Sequence, residues 1–194
     1  MSGDLNTESD ILPVVDLVLK GFREEIDAID PGLIGLLHKR FVISQGNKTP
    51  VDVGILFEER KAWAMECGLD PDWIESFWKD IFSWMNIREG TQKIDKDIMN
   101  CLLRRFVVVE KVGKYKAEKN MPPLQPKRWE EVLETRKSLA RERGLDEEWI
   151  EIIWNTIHKY ACEVEERCKK SKFHISDCGC VNYEVPTQVV TILQ

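Results

Sequence analysis

The 194-residue sequence predicts an all-α protein made of two three-helix repeats, and three observations lead to that reading. Gly68–Trp78 (GLDPDWIESFW) returns 76 residues later as Gly144–Trp154 (GLDEEWIEIIW), and Ile29–Ser44 (IDPGLIGLLHKRFVIS) returns 65 residues later from Ile94 as IDKDIMNCLLRRFVVV. Such self-similarity marks a repeated supersecondary unit. Apolar residues recur every three to four positions, at Ile26, Ile29, Leu33, Leu37, Phe41 and again at Ile94, Ile98, Leu102, Phe106, Val109, which is the spacing of a buried helical stripe. Each copy also contains Gly-Leu-Asp, where Gly closes one helix and Asp caps the next.

Each repeat therefore reads as a long helix, a loop, a shorter helix, the Gly-Leu-Asp break and a third helix. The two offsets differ by 11 residues because the first copy lacks a turn or more of helix and a loop, where the second carries EKVGKYKAEKNMPPLQPKR. Pro71 suits the first position of a helix, where its missing N–H costs nothing. From Asp70 to about Lys119 there is no further proline except Pro71 itself, and Gly90 and Gly113 are the only other breakers. The third helix of copy one is thus expected to run into the first helix of copy two as a long shared central helix. The expected organisation is a flexible N-terminus at 1–12, repeat 1 at 13–89, repeat 2 at 90–170 and an extended tail at 171–194, where Val, Ile, Thr and Tyr replace the Glu/Lys/Leu pattern and Pro186 appears.

Composition excludes several classes. With 43% hydrophobic residues and 7 Trp the chain can bury a core. Its 28 bases against 34 acids give a net charge of −6, which disfavours nucleic-acid binding because a phosphate backbone requires a broadly basic face. No apolar run has the length of a membrane span and the start MSGDLNTESD lacks a signal-peptide pattern, so a cytoplasmic location is expected. Four of the six cysteines, Cys67, Cys101, Cys162 and Cys168, fall in helical pattern, and reduced thiols are expected. Cys178 and Cys180 with His174 make a poor zinc set, and no metal or cofactor is expected.

Within this acidic chain, eight bases and two acids lie between Arg104 and Arg128. Arg105 and Lys116 are eleven residues apart, about three helical turns, and share a face. Lys111, Lys114 and Lys119 read as solvated surface. Arg105 does not, because it sits among Leu102, Leu103 and Phe106, where an unpaired guanidinium is costly.

Together, R-E-x-I-D-x-I-D from Arg23, the arginines after Leu102-Leu103, V-G-K-Y-K from Val112, P-x-x-P-x-R from Pro123 and the Gly-Leu-Asp break resemble the all-helical, AroQ-class chorismate mutases. The resemblance runs from about Phe22 to Arg167, and ERKAWAMECGLDPDWIESFWKDIFSW is most similar to the isochorismate pyruvate-lyase branch. It implies an intertwined pseudo-dimer in one chain, monomeric or weakly dimeric, acting on a small dianionic substrate without a cofactor. It further implies a composite site in which Lys116, Glu165 and Arg105 are catalytic, and Arg23 (lent by copy one), Arg105, Gln125, Arg128, Trp129 and Ala161 bind substrate.

Those residue types suit the chemistry. Arginine forks hold carboxylates at two points and would fold a flexible enolpyruvyl arm over its ring. A preplaced Lys116 ammonium meets the negative charge growing on the ether oxygen, and Glu165 assists if burial keeps it protonated. The expected reaction is chorismate to prephenate. The alternatives are pyruvate elimination from isochorismate to give salicylate, rearrangement of an amino-substituted chorismate, or a silent metabolite- or partner-binding regulator. Trp129 stands where mutases commonly have Glu, Gln125 where Asp is common and Ala161 where Ser is common, departures that favour a different ring substituent. The equivalent site of copy one is expected to be inactive: Arg40 persists, but Asp52 replaces the Arg128 counterpart, and Arg88 and Glu89 complete a poor set.

Overall fold

A computed structural model describes residues 12–46, 52–87 and 90–170. Six helices follow one another: α1 (Leu12–Ser44), α2 (Val53–Glu66), α3 (Pro71–Trp84), α4 (Gln92–Glu118), α5 (Pro126–Glu142) and α6 (Glu147–Lys170). The described residues contain no strand, in agreement with the all-α expectation. The expected flexible N-terminus and extended tail lie outside the described residues, except for Leu12, which opens α1.

The helix starts follow local chemistry. Asp52 caps α2, its Oδ1 accepting from the N–H groups of Gly54 and Ile55, and Asp70 caps α3 through Asp72 and Trp73. Pro71 and Pro126 occupy first-turn positions, where a missing N–H is harmless. Asp146 accepts from Trp149 N–H at the start of α6.

The shared central helix is corrected. α3 ends at Trp84 and α4 begins at Gln92. Met85 turns into extended backbone at ψ 135° with its side chain buried, and Gly90 adopts φ +82°, a left-handed conformation that glycine enters without a steric penalty. Asn86 holds this connection by donating to Ser44 O at the end of α1. The physical reason is burial: a continuous rod would carry Met85 away from Arg40, whose guanidinium contacts its sulfur at 3.4 Å.

α1 and α6 both pack along α4, a rod about 40 Å long, while α5 leans on α1 and α6 and α2 on α3. The core between them contains Leu33, Ile34 and Leu37 of α1, Phe77 and Trp78 of α3, Ile98, Leu102 and Phe106 of α4 and Ile153, Trp154 and Ile157 of α6, all fully buried. Fully burying a side chain of this size contributes roughly 1.5–3 kcal/mol, so this layer dominates the fold's stability. Gly113 lets α4 and α6 approach closely, since a Cβ there would lie 2.9 Å from Glu165 Cα and 3.0 Å from Cys168 Sγ. Among the described residues no helix is long and apolar enough to cross a membrane.

Candidate functional site

The close approach at Gly113 brings Lys116, one turn further along α4, against Glu165 of α6. Lys116 Nζ donates to Glu165 Oε2 at 2.7 Å and to Pro123 O at 2.7 Å, and both charged side chains are nearly buried. An ammonium has three donors, so these bonds occupy two of them. Burial pushes the Glu165 carboxyl above its ordinary range, and the nearby Lys116 opposes that rise without cancelling it.

Arg105 lies eleven residues before Lys116 on the same helix. It is 5% exposed, and its charge acts on Glu165 through space, as the last and smallest of the influences on that carboxyl. It does not sit unpaired among apolar residues: its Nε donates to Asp30 Oδ1 of α1 at 2.9 Å. The other Asp30 oxygen accepts from Arg136 of α5 at 2.7 and 3.0 Å. Arg105 Nη1 remains a buried donor with no partner among the described residues. Such an orphan carries a desolvation cost that an incoming anion relieves.

Arg23, from α1, donates to Gln125 Oε1 just before α5. Arg128 donates to both oxygens of Asp27 at 2.8 and 2.9 Å, and Arg136 donates to the same carboxylate at 2.7 Å. Burial alone would raise the Asp27 pKa, but Arg136 and Arg128 outweigh it and hold the carboxyl below its usual range. Asp27 thus stands as an internal carboxylate on the arginine expected to bind substrate.

Trp129 and Ala161 complete the expected set, and with them comes a residue the sequence reading missed. His158 of α6 stacks face to face on Trp129, with ring centres 4.0 Å apart and planes 7° apart. Ala161 lies three residues further along α6, buried and without bulk. Burial, reinforced by the charges of Arg105 and Lys116, pushes the His158 pKa down to about 4, so its imidazole is neutral at physiological pH. Beside these rings an open cavity of about 630 Å³ is lined by Leu124, His158, Cys162 and Arg167, among others. Asp27, Asp30 and Arg136 were also missed. The repeat contained a signal for two of them: Asp30 matches Asp95 at the 65-residue offset, and Arg136 matches Arg60 at the 76-residue offset.

Copy one builds the mirror cluster and fills it. Asp95 of α4 accepts from Arg40 Nε of α1 at 2.8 Å and from Arg60 of α2, just as Asp30 joins Arg105 and Arg136. Phe82 and Met85 occupy the positions of His158 and Ala161 at the 76-residue offset. The Arg40 guanidinium lies 5.0 Å from the centre of the Phe82 ring and 5.7 Å from that of Trp78, and Arg60 lies 4.6 Å from Trp78. Asp52 is occupied as the α2 cap, while Arg88 and Glu89 lie outside the described residues.

The surface lysines behave as expected: Lys111, half-exposed, pairs with Glu25 and Lys114 with Glu110. Cys101, Cys162 and Cys168 are thiols, and burial pushes Cys101 up to about 12. No group of three His, Cys, Asp or Glu among the described residues is arranged to hold a metal ion, and His174, Cys178 and Cys180 lie outside them.

Residues 87–166 match a protein-family model described as chorismate mutase type II. No curated protein and no solved structure matches the chain.

Proposed function

We propose, from the match of residues 87–166 to the chorismate mutase type II family model, that the chain catalyses the rearrangement of chorismate to prephenate in one composite site, formed by repeat 2 (90–170) with Arg23 lent by repeat 1 (13–89). One observation carries this reading. Arg105, Arg128 and Arg136 share Asp27 and Asp30, Lys116 pairs with Glu165 and Arg23 bonds the neutral Gln125, so these five bases hydrogen-bond only three carboxylates, two fewer than their own number. A dianion neutralises that excess, whereas neutral and cationic ligands do not.

The division of labour follows from the positions of the guanidinium groups and the orphaned donor of Arg105. Arg105 Nη1 meets one carboxylate and Arg23 with Arg128 the other, Arg128 turning from Asp27 to the substrate. Held at both ends, the enolpyruvyl arm stays over the ring and the bimolecular-like entropy cost is met on binding. As the ether C–O bond breaks and the new C–C bond forms, negative charge grows on the departing oxygen. The third N–H of Lys116 and, when protonated, the Glu165 carboxyl donate to it. No proton needs to leave the substrate, so a neutral His158 fits a wall rather than a base.

Trp129 and His158 favour a second reading. Their stacked faces offer no acceptor like the carboxylate that mutases commonly place here for the ring hydroxyl, which suits pyruvate elimination from isochorismate or an amino-substituted chorismate. Product analysis on chorismate and isochorismate separates these: prephenate supports the mutase, salicylate the lyase. Turnover of neither substrate, with thermal stability raised by one of them, would leave a binding regulator instead. On the mutase reading, turnover falls as pH rises through the elevated Glu165 pKa, and Glu165→Gln flattens that profile; a profile unchanged in the variant removes Glu165 from the reaction.

A further inference from the structure

His158 and Cys162 are polar side chains of α6 to which the proposed reaction gives no chemical part. They stand one turn apart, and His158 precedes Glu165 by seven residues, about two turns, so the three follow one stripe of the helix. Cys162 Sγ lies 3.7 Å from His158 Nε2. Both residues line the open cavity of about 630 Å³. Because Trp129 stacks face to face on the imidazole, hydrogen bonds to the ring run in its plane, through the two edge nitrogens. Cys162 takes one of them, and Nδ1 has no hydrogen-bond partner among the described residues.

That contact decides which nitrogen carries the hydrogen. Burial and the charge of Glu165 push the Cys162 pKa up, so at neutral pH the sulfur keeps its proton. His158 is neutral there, with a pKa pushed down to about 4, and so has one N–H and one bare nitrogen. A bare imidazole nitrogen is a good acceptor and a thiol sulfur a weak one, which favours S–H donating to Nε2. The hydrogen then sits on Nδ1, since the bond made by one ring nitrogen sets the state of the other. An unconstrained histidine prefers the opposite form, Nε2–H. Repeat 1 has no such pair: at the 76-residue offset Phe82 and Asn86 take these places, and Asn86 is engaged with Ser44 O.

We infer that Cys162 is a positioning residue that locks His158 in its Nδ1–H form, and that this N–H donates to the oxygen of the substrate's ring hydroxyl. The inference rests on the chorismate-type reading of the site. Its consequence is selectivity. A hydroxyl oxygen accepts from Nδ1–H, whereas a ring ammonium turns donors of its own toward it. Of the ring substituents considered above, a hydroxyl, on chorismate or isochorismate, is therefore preferred to an amino group.

Nitrogen NMR of the isotope-labelled full chain at neutral pH reads the tautomer, because protonated and bare imidazole nitrogens resonate in separate ranges. Nδ1–H is expected in the parent, Nε2–H in Cys162→Ala, and Nδ1–H again in Cys162→Ser, whose hydroxyl also donates. Turnover should follow the tautomer. Cys162→Ala raises KM for the hydroxyl-bearing substrate by roughly fivefold with kcat little changed, and lowers the preference over the amino-substituted chorismate by a similar factor. Cys162→Ser restores both. A cysteine that only fills space would alter stability and leave the spectrum alone. Nε2–H in the parent, a spectrum unchanged by Cys162→Ala, or a changed tautomer with KM unmoved overturns the inference. Turnover of none of the three substrates overturns the chorismate-type reading and the donor role with it, a result the spectrum distinguishes from failure of the lock.

Discussion

Two clusters in this molecule start from the same parts and end differently. Each joins an aspartate of one repeat's first helix to an arginine of the other repeat's first helix and another of a second helix: Asp30 with Arg105 and Arg136, Asp95 with Arg40 and Arg60. Around Asp95 the space beyond the guanidinium groups is taken by Trp78, Phe82 and Met85, and the charges become structural. Around Asp30 the equivalents of Phe82 and Met85 are His158 and Ala161, and the helix extends to present Lys116 to Glu165. Both clusters keep buried guanidinium donors without a described partner, Arg40 Nη2 and Arg60 Nε in one and Arg105 Nη1 in the other. They differ in what stands beside them: aromatic rings and a thioether cover the first, and the Lys116–Glu165 pair lies on the helices of the second.

The sharpest way to break the comparison is to remove a charge from each side. Lys116→Ala should lower kcat on chorismate by about 10²–10³-fold, the usual loss of a donor to a developing oxyanion, and should also cost stability because buried Glu165 loses its 2.7 Å partner. Arg40→Ala should cost stability alone, roughly 3 kcal/mol in denaturant unfolding because Asp95 is left with one fewer buried partner, with turnover held within a few-fold. If Arg40→Ala abolished turnover in a folded protein, the two clusters would not be functionally distinct.

Gly113→Ala tests whether close helix approach is what sets the open cluster. The added Cβ meets Glu165 Cα at 2.9 Å, so α6 must shift, and a loss of about 1–3 kcal/mol together with at least a tenfold fall in turnover is expected. The mirror clusters also differ in their response to acid. His158 titrates at about 4 in the fold against about 6.5 when unfolded, so the unfolded chain binds the proton first. The associated stability is complete above about pH 6.5 and drains away as pH falls toward 4, by roughly 2 kcal/mol once solvent screening of the partly exposed ring is allowed for. Equilibrium unfolding at pH 7 and pH 4.5 measures this, and His158→Phe, which copies Phe82, should shrink the difference. The smallest effect is expected from Asp27→Asn: relieving Arg128 of an internal competitor should lower KM by a few-fold, with kcat little changed.

Much of this could be read from the chain before any coordinates. Period-3.6 stripes and capping chemistry specify helices locally, so the helical segments and the Gly-Leu-Asp breaks followed from neighbours a few residues apart. The break between α3 and α4 did not, because it depends on Met85 being drawn against Arg40, a contact between residues 45 positions apart. Of the candidate site, the cationic residues were legible as a basic segment in an acidic chain. Asp27, Asp30, Arg136 and His158 were not, since an aspartate or a histidine on a helix gives no local sign of which guanidinium or ring it will face.

What the amino-acid order determined alone was the helical class, the doubling of the unit and the placing of Arg105 and Lys116 on a common face, because each rests on spacing along one chain segment. Only the tertiary structure decided which aspartate neutralises which arginine, and that Phe82 and Met85 lie against the Arg40 guanidinium of one cluster. These outcomes depend on volumes and charges meeting across helices, where packing rather than sequence distance sets who touches whom.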